Sequence, residues 1–382
     1  MPTATLVPIT GSVLTWAMNE AEIDDQELAR RCRVDTGLVQ AWRHGDEQPT
    51  KTQFKQLANA LRRPTSFFFL PSPPATSLIP ASFRSPPGKE GDRELSVEEA
   101  RALRTARRLQ RISAWAAKER GDGPVKLPRL PNNLSPETAA NQARDFLEWT
   151  VERQLRAFDA GAVAKDLRRL LEDHGLLVMQ LSLGEKGCRG FSLYDDYAPL
   201  IAINSTYNNP ARTFSYVHEL GHLLMRSDSI CTSTLNRNEE RWCEEFAASF
   251  LLPRSTFSSW VKQLNARGRI EDFELVRRLA NRFKVSLRAV ALRLINLEYA
   301  DFSLYEEVDE RADFKTKGGG GRGETRPQRR LRQWGRTYPR LLLGAERDGL
   351  LSRQDVLEYL NLPNTQLHVL QEELASADWD EA

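Results

Sequence analysis

The most informative segment of this chain is an apolar stretch that contains two histidines and a glutamate. It reads Phe214-Ser215-Tyr216-Val217-His218-Glu219-Leu220-Gly221-His222-Leu223-Leu224. Because His218 and His222 are four residues apart, a helix places both imidazoles on one face, one turn apart. Zinc in proteins takes nitrogen and oxygen ligands at about 2.0–2.2 Å, and two histidines supply half of a tetrahedral shell. The spacing therefore predicts a zinc site on a helix.

Glu219 follows the first histidine directly. A carboxylate at that position can reach a water at the open position of the metal and take its proton, so Glu219 is the candidate catalytic base. The flanking residues are apolar, which predicts a buried helix rather than a surface helix with two solvated histidines. Gly221 costs about 1 kcal/mol in a helix interior, which indicates a packing reason for its presence.

A third ligand is expected from the next helix, predicted over about residues 237–252. Four glutamates there precede an apolar run: Glu239, Glu240, Glu244 and Glu245. A carboxylate from a second helix would complete a His₂Glu site and leave one position open for water. Helical spacing places Glu240 and Glu244 on one face, so spacing alone leaves both as candidates. The alternative for most of these glutamates is a solvated acidic face.

The first 70 residues are predicted to form short helices separated by breaks. A helix over residues 25–32 and a second over 36–44 are joined by the break at 33–35, and Gly45 is the expected C-cap. This framework resembles the XRE/Cro-type helix-turn-helix, although Arg33 stands where the turn usually carries glycine. The residues that would then face the major groove of duplex DNA are Thr36, Gly37, Gln40 and Arg43.

The charge of this region argues against a strong phosphate-binding surface. Between residues 22 and 65 the basic side chains outnumber the acidic ones by one, and the whole chain has a net charge of only +2. Affinity for duplex DNA depends mainly on neutralised phosphates. The alternative to DNA binding is therefore a module for protein docking or dimerisation. In the second case the chain would form a homodimer.

Several motifs together resemble the ImmA/IrrE metallopeptidase family over about residues 130–300. They are the segment quoted above, Gly190-Phe191-Ser192-Leu193, Ala202-Ile203-Asn204-Ser205, Glu240-Arg241-Trp242-Cys243-Glu244-Glu245-Phe246-Ala247-Ala248 and Leu251-Leu252-Pro253. The resemblance implies a gluzincin-like zinc endopeptidase in which Glu240 is the third ligand beside His218 and His222. Glu244 stands where relatives carry asparagine and is the second choice. The better-known members cut a helix-turn-helix repressor and so switch on stress or mobile-element genes, which implies a protein substrate of that kind.

We expect a multidomain, mainly α fold: an all-α helix-turn-helix, an α+β peptidase domain with a small sheet, and a C-terminal helical module. Strands are predicted near residues 176–181, 190–194 and 200–204. The expected division is 1–70, 71–130 (a linker arm and a basic helix), 131–310 (the peptidase domain), 311–326 (a glycine-rich linker) and 327–382 (the C-terminal module).

The composition, with 40% hydrophobic and 28% charged residues, is that of a soluble globular protein. Four scattered cysteines and the lack of a long apolar run predict a cytoplasmic protein with no membrane partner. Two functions from different classes fit the sequence. One is the zinc endopeptidase with a DNA-binding-type regulatory domain. The other is a DNA-binding transcriptional regulator or antitoxin-like protein, whose metal site is structural or senses a ligand.

Overall fold

The structure is a computed structural model. It describes residues 6–21, 23–61, 63, 65–70, 72–73, 82–83, 96–131, 133–185, 187–226, 237–264, 269–311 and 323–379. Cys231 and residues 312–322, which form most of the predicted glycine-rich linker, lie outside these ranges. The contacts divide the chain into two compact units, Met1–Leu78 and Ile79–Ala382. The predicted peptidase domain (131–310) and the predicted C-terminal module (327–382) both lie in the second unit.

The first unit is all-helical. Its helices are α1 (Gly11–Ala21), α2 (Asp25–Cys32), α3 (Thr36–His44), α4 (Lys51–Ala60) and a 3₁₀ helix (Thr65–Phe69). Asp24 caps α2 and Asp35 caps α3, each by accepting a backbone N–H of the first turn. The core includes Leu28, Val39 and Trp42, which are fully buried.

The predicted turn between α2 and α3 is present, and Arg33 carries its unusual conformation. Arg33 has φ 56° and ψ 47°, in the left-handed region that glycine adopts without steric cost. Its N–H donates to the end of α2, so this arginine ends that helix as a glycine would. Arginine in place of the usual turn glycine therefore leaves the path of the backbone between α2 and α3 unchanged.

The second unit contains a small sheet between two groups of helices. In chain order its elements are β1 (Ser82–Phe83), α5 (Val97–Glu119), α6 (Pro136–Phe146), α7 (Val151–Arg156), α8 (Ala160–Asp173), β2 (Leu177–Leu181), β3 (Gly190–Leu193), β4 (Leu200–Asn204), α9 (Asn209–Met225), α10 (Arg237–Leu251), α11 (Arg254–Leu264), α12 (Phe273–Phe283), α13 (Leu287–Asn296), α14 (Phe302–Arg311), α15 (Arg326–Trp334), α16 (Thr337–Arg347), α17 (Arg353–Leu360), a 3₁₀ helix (Asn364–Gln366) and α18 (Leu367–Trp379). The predicted mainly α class with a small sheet is confirmed.

The strands lie in the order β1-β3-β4-β2. β4 is parallel to β2, with Leu177 opposite Leu200, and antiparallel to β3, with Gly190 opposite Ile203. β1 pairs antiparallel with the outer edge of β3. The three longer strands match the predicted runs to within one residue at either end.

Both faces of the sheet are buried, and successive side chains alternate between two apolar cores. Val178, Ile201 and Ile203 pack into a core with α6 and α8–α14. Leu177 and Leu200 face the opposite core, which is completed by α5 and by the helices α15–α18. The C-terminal helices therefore cover one face of the sheet that carries the site on its other side. In the described residues, no helix has both the length and the apolar composition needed to cross a bilayer.

Candidate metal centre

The two histidines of the quoted segment lie on α9. Asn208 caps this helix by accepting the N–H of Ala211, and Pro210 lies in its first turn. His218 is fully buried and His222 nearly so. Their Nε2 atoms are 3.3 Å apart, so both rings direct the same nitrogen to one point. The helix thus holds the pair as the four-residue spacing predicts.

Helix α10 brings Glu240 to this pair. One carboxylate oxygen of Glu240 lies 3.3 Å from His218 Nε2, and the other lies 3.3 Å from His222 Nε2. These three residues form a group that could hold a metal ion, and the described part of the chain contains no other such group. Glu244, the second choice from the sequence, is not in it.

The donor set fits zinc in both chemistry and size. Ligands at about 2.0–2.1 Å from a tetrahedral centre are separated from one another by roughly 3.3–3.4 Å. The two Nε2 atoms, 3.3 Å apart, have this separation, and each of them lies 3.3 Å from a different oxygen of the Glu240 carboxylate. Two imidazole nitrogens and a carboxylate are a donor set that catalytic zinc sites use, with the fourth position left for water or substrate.

The electrostatic surroundings favour a cation at this point. Burial raises the pKa of Glu240, but hydrogen bonds with the two histidines hold it well below its usual range, so the carboxylate stays ionised. Burial by itself lowers the pKa of His222, but its contacts with Cys243 and two carboxylates outweigh this effect. The pKa of His222 therefore lies well above the usual histidine value. The surroundings thus stabilise a positive charge at this point, which a bound metal ion would supply in place of the histidine proton.

Glu239 supports His222 from the side away from Glu240. Its Oε1 lies 3.0 Å from His222 Nδ1, and its side chain is 11% exposed. A carboxylate on the second ring nitrogen fixes the tautomer and the orientation of a metal-binding histidine. The sequence suggests only a solvated acidic face for the glutamates beside the ligand. The sequence does not reveal this role of Glu239, because it depends on how α10 docks against α9.

Glu219 is also buried, at 1% exposure, and it lies against the first residue of β3. A Cβ placed on Gly190 would lie 3.1 Å from Glu219 Oε1 and 2.9 Å from the carbonyl oxygen of Ala202. Glycine at 190 therefore leaves room for the Glu219 carboxylate beside the strand. The candidate base thus lies between the histidine helix and the sheet.

The packing reason for Gly221 is the close approach of α10. A Cβ at this position would lie 3.0 Å from the ring of Phe246 and 3.3 Å from Cys243 Sγ. Cys243 is fully buried, and burial raises the pKa of its thiol to about 11. Gly221 therefore allows the two helices that carry the three donors to approach each other.

Glu244 lies one turn beyond Glu240 on α10 and lines a cavity whose lining does not include the three donors. The same cavity is lined by Arg189, Phe214, Arg288 and Tyr305. Arg288 also forms an ion pair with Asp309. The carboxylate that departs from the family pattern thus shares its surroundings with two arginines, outside the group of three donors.

The residues predicted to face DNA lie on α3 in the first unit. Gln40 and Gly37 are exposed, and Thr36 is half-buried. Asp25 of α2 holds two of the predicted residues: it binds Arg43 Nη1 at 2.8 Å and Gln40 Nε2 at 3.4 Å. The Arg43 charge is therefore partly neutralised within the unit itself.

Comparison with known protein families matches residues 171–295 to the Peptidase_M78 family, described as an IrrE N-terminal-like domain. The matched region includes β2–β4, α9 and α10, and therefore all the residues of the candidate centre. The match supports the peptidase part of the ImmA/IrrE resemblance. No curated protein matches the chain.

Proposed function

We propose that this chain is a zinc-dependent endopeptidase that acts on a protein substrate. In this proposal His218, His222 and Glu240 bind the metal, and Glu219 is the general base. The observation that carries the proposal is the convergence of the donors: the two Nε2 atoms are 3.3 Å apart, close to the edge of a zinc tetrahedron, and each lies 3.3 Å from one oxygen of Glu240. The family match to residues 171–295 supports the same activity.

The residues of the site have separate roles in peptide hydrolysis. When bound, the zinc ion supplies Lewis acidity toward the peptide carbonyl and the attacking water. Glu219 accepts a proton from that water and later donates it to the leaving amine. Because Glu219 is almost fully buried, its carboxylate acts at low dielectric, where its charge interacts strongly with the reacting atoms. Glu239 orients His222 through its Nδ1.

Three single substitutions test these roles, with bound zinc and protein cleavage both measured. We expect Glu219→Gln to keep zinc while cleavage falls by roughly 10²–10⁴-fold, the contribution typical of a general base. Glu240→Gln should lose both zinc and cleavage. Glu244→Gln, one turn further along α10, is the matched control and should keep zinc. An absence of zinc from the native protein, or full cleavage by Glu219→Gln, would contradict the proposal.

The proposed substrate is a helix-turn-helix repressor, as the ImmA/IrrE resemblance implies, in stress or mobile-element regulation. A repressor encoded beside the gene for this chain is the first substrate to test, with casein as the general control. Specific cleavage produces discrete fragments of the repressor that Glu219→Gln does not produce. Cleavage of casein with an intact repressor would keep the peptidase proposal and reject this substrate.

A second proposed activity is duplex DNA binding by the first unit. It is supported by the turn between α2 and α3 and by the exposed Gln40 on α3. Because Asp25 holds Arg43, we expect Asp25→Asn to strengthen binding to DNA, whereas Gln40→Ala weakens it. Electrophoretic mobility shifts at two salt concentrations measure both effects. If Asp25→Asn and the parent chain fail to bind at low salt, a docking or dimerisation role is favoured.

A further inference from the structure

The outer edge of β3 runs beside the candidate base. Gly190 begins this strand, and a Cβ there would lie 3.1 Å from Glu219 Oε1. The inner edge of β3 is fully used, because it pairs with β4 from Gly190 to Leu193. An extended polypeptide that approaches Glu219 along the sheet can therefore pair only with the outer edge.

In the structure this outer edge is taken by the chain's own residues Ser82 and Phe83. They pair antiparallel with β3, with Ser82 opposite Ser192 and Phe83 opposite Phe191. Phe191 directly follows Gly190, so the paired residues lie next to the position that contacts the base. Addition of a strand to a sheet edge uses backbone hydrogen bonds, which any extended segment can form.

We propose that Ser82–Phe83 is an internal competitor for the strand edge that the protein substrate uses. This inference rests on the proposed peptidase function, since it concerns regulation of that site. The internal strand has a high effective concentration because it belongs to the same chain, so it is present whenever substrate is scarce. Within the described residues it pairs with two residues of β3, whereas a substrate segment that pairs along all four residues of the strand can displace it. Cleavage then requires that β1 leave the edge.

A reversible cross-link between the two strands tests this inference. Directly opposite residues of antiparallel strands have Cα atoms roughly 4.5–5.5 Å apart, a separation that a disulfide can bridge. The zinc-loaded full chain with Ser82→Cys and Ser192→Cys is assayed oxidised and then reduced. We expect the oxidised form to cleave at least about tenfold more slowly, because the rate follows the fraction of chains with an open edge. Oxidised wild-type protein controls for its own cysteines.

Release of the internal strand should have the opposite effect. Ser82→Pro with Phe83→Pro removes two backbone donors and should raise cleavage above the wild-type rate, whereas the control Ser72→Pro should not. A fluorescent peptide with the sequence of residues 78–90 gives a readout that needs no cleavage. It should bind the double proline variant and fail to bind the oxidised double cysteine variant.

These measurements separate the regulation from the peptidase function. If the labelled peptide binds as expected but no form cleaves protein, the peptidase proposal fails and the edge competition stands. If the oxidised and reduced double cysteine forms both cleave, and at the same rate, the inference is overturned and the peptidase proposal stands. Equal peptide binding by the proline and oxidised variants, or no binding by either, also overturns it.

Discussion

His222 is held by polar contacts at both ring nitrogens. Its Nε2 points to His218 and Glu240, and its Nδ1 lies 3.0 Å from Glu239 Oε1. A ligand held in this way loses little freedom when it binds a metal ion, and the carboxylate raises the basicity of the ring. Glu239 is therefore predicted to affect zinc affinity without being a ligand.

Replacement of Glu239 measures this contribution. We expect Glu239→Ala to weaken zinc binding by about 10–100-fold, the range found for such supporting residues. Glu239→Gln should lose less zinc affinity than Glu239→Ala, because its amide oxygen still accepts the hydrogen on His222 Nδ1. Competition with a zinc chelator gives the affinities. Glu245→Ala is the control on the same helix, where Glu245 pairs with the exposed Arg241 at 3.0 Å. If Glu239→Ala and Glu245→Ala lose the same amount of zinc affinity, the total negative charge of α10, and not the orientation of His222, sets that affinity.

The sequence predicts the two histidines more directly than it predicts the carboxylates. A spacing of four residues fixes the relation between His218 and His222 within one helix. The choice among the glutamates of α10 depends on how that helix docks against α9, which no spacing within α10 contains. The family pattern indicated Glu240, whereas Glu239 and the arginine-lined surroundings of Glu244 became visible only in the structure.

At the level of elements, the site depends on the contact between α9 and α10. Gly221 lies at this contact, where an added methyl group would meet Phe246 at 3.0 Å and Cys243 Sγ at 3.3 Å. Both neighbours belong to α10, as does Glu240. A larger side chain at 221 therefore moves Glu240 relative to the histidines.

Gly221→Ala separates packing from helix propensity. Alanine favours a helix interior by about 1 kcal/mol over glycine. Overpacking of a filled core costs about 1–3 kcal/mol, so the net stability change is small or unfavourable. We nevertheless expect a clear loss of zinc affinity, measured by chelator competition beside thermal unfolding. Gly123→Ala, where a Cβ meets nothing within 4 Å, should leave the affinity unchanged. Unchanged zinc affinity in Gly221→Ala would mean that the helices tolerate separation at this point.

Elements with strong periodicity are predicted well, and those with few buried residues are not. The predicted histidine helix is present as α9, and the predicted strands match β2–β4. The sequence pattern does not predict α11 or α14, because each buries only two side chains: Phe257 and Val261 in α11, and Leu304 and Val308 in α14. β1 has two residues, which is too short for any alternating pattern. Contacts with the rest of the fold define these elements.

At the scale of the whole second unit, the C-terminal helices and the metal centre share one sheet. Arg168 of α8 donates to the carbonyl oxygens of Val178 at 2.7 Å and Arg332 at 2.9 Å, and so ties β2 to α15. Gly335, with φ 75°, follows α15 where a Cβ would lie 2.3 Å from Glu172 Oε1. The sequence suggests a separate C-terminal module because a glycine-rich run precedes it. The glycine-rich run does not show that the C-terminal helices cover an apolar face of β2.

This shared sheet predicts that loss of packing under the C-terminal helices releases the metal ion. Leu342 of α16 is fully buried in the core that also contains Leu177 and Leu200. Leu342→Ala should cost about 2–5 kcal/mol, which lowers the unfolding temperature by roughly 5–15 °C in a unit of this size. Because the same sheet supports α9, zinc release, followed with a zinc-sensitive dye, should move to the same lower temperature. Leu57→Ala, an equally buried leucine of the first unit, is the control and should leave the zinc-release temperature unchanged. In the contrary outcome, Leu342→Ala melts the C-terminal helices, but zinc is released at the same temperature as in the parent protein. The C-terminal helices would then unfold independently of the metal centre, as the sequence alone suggests.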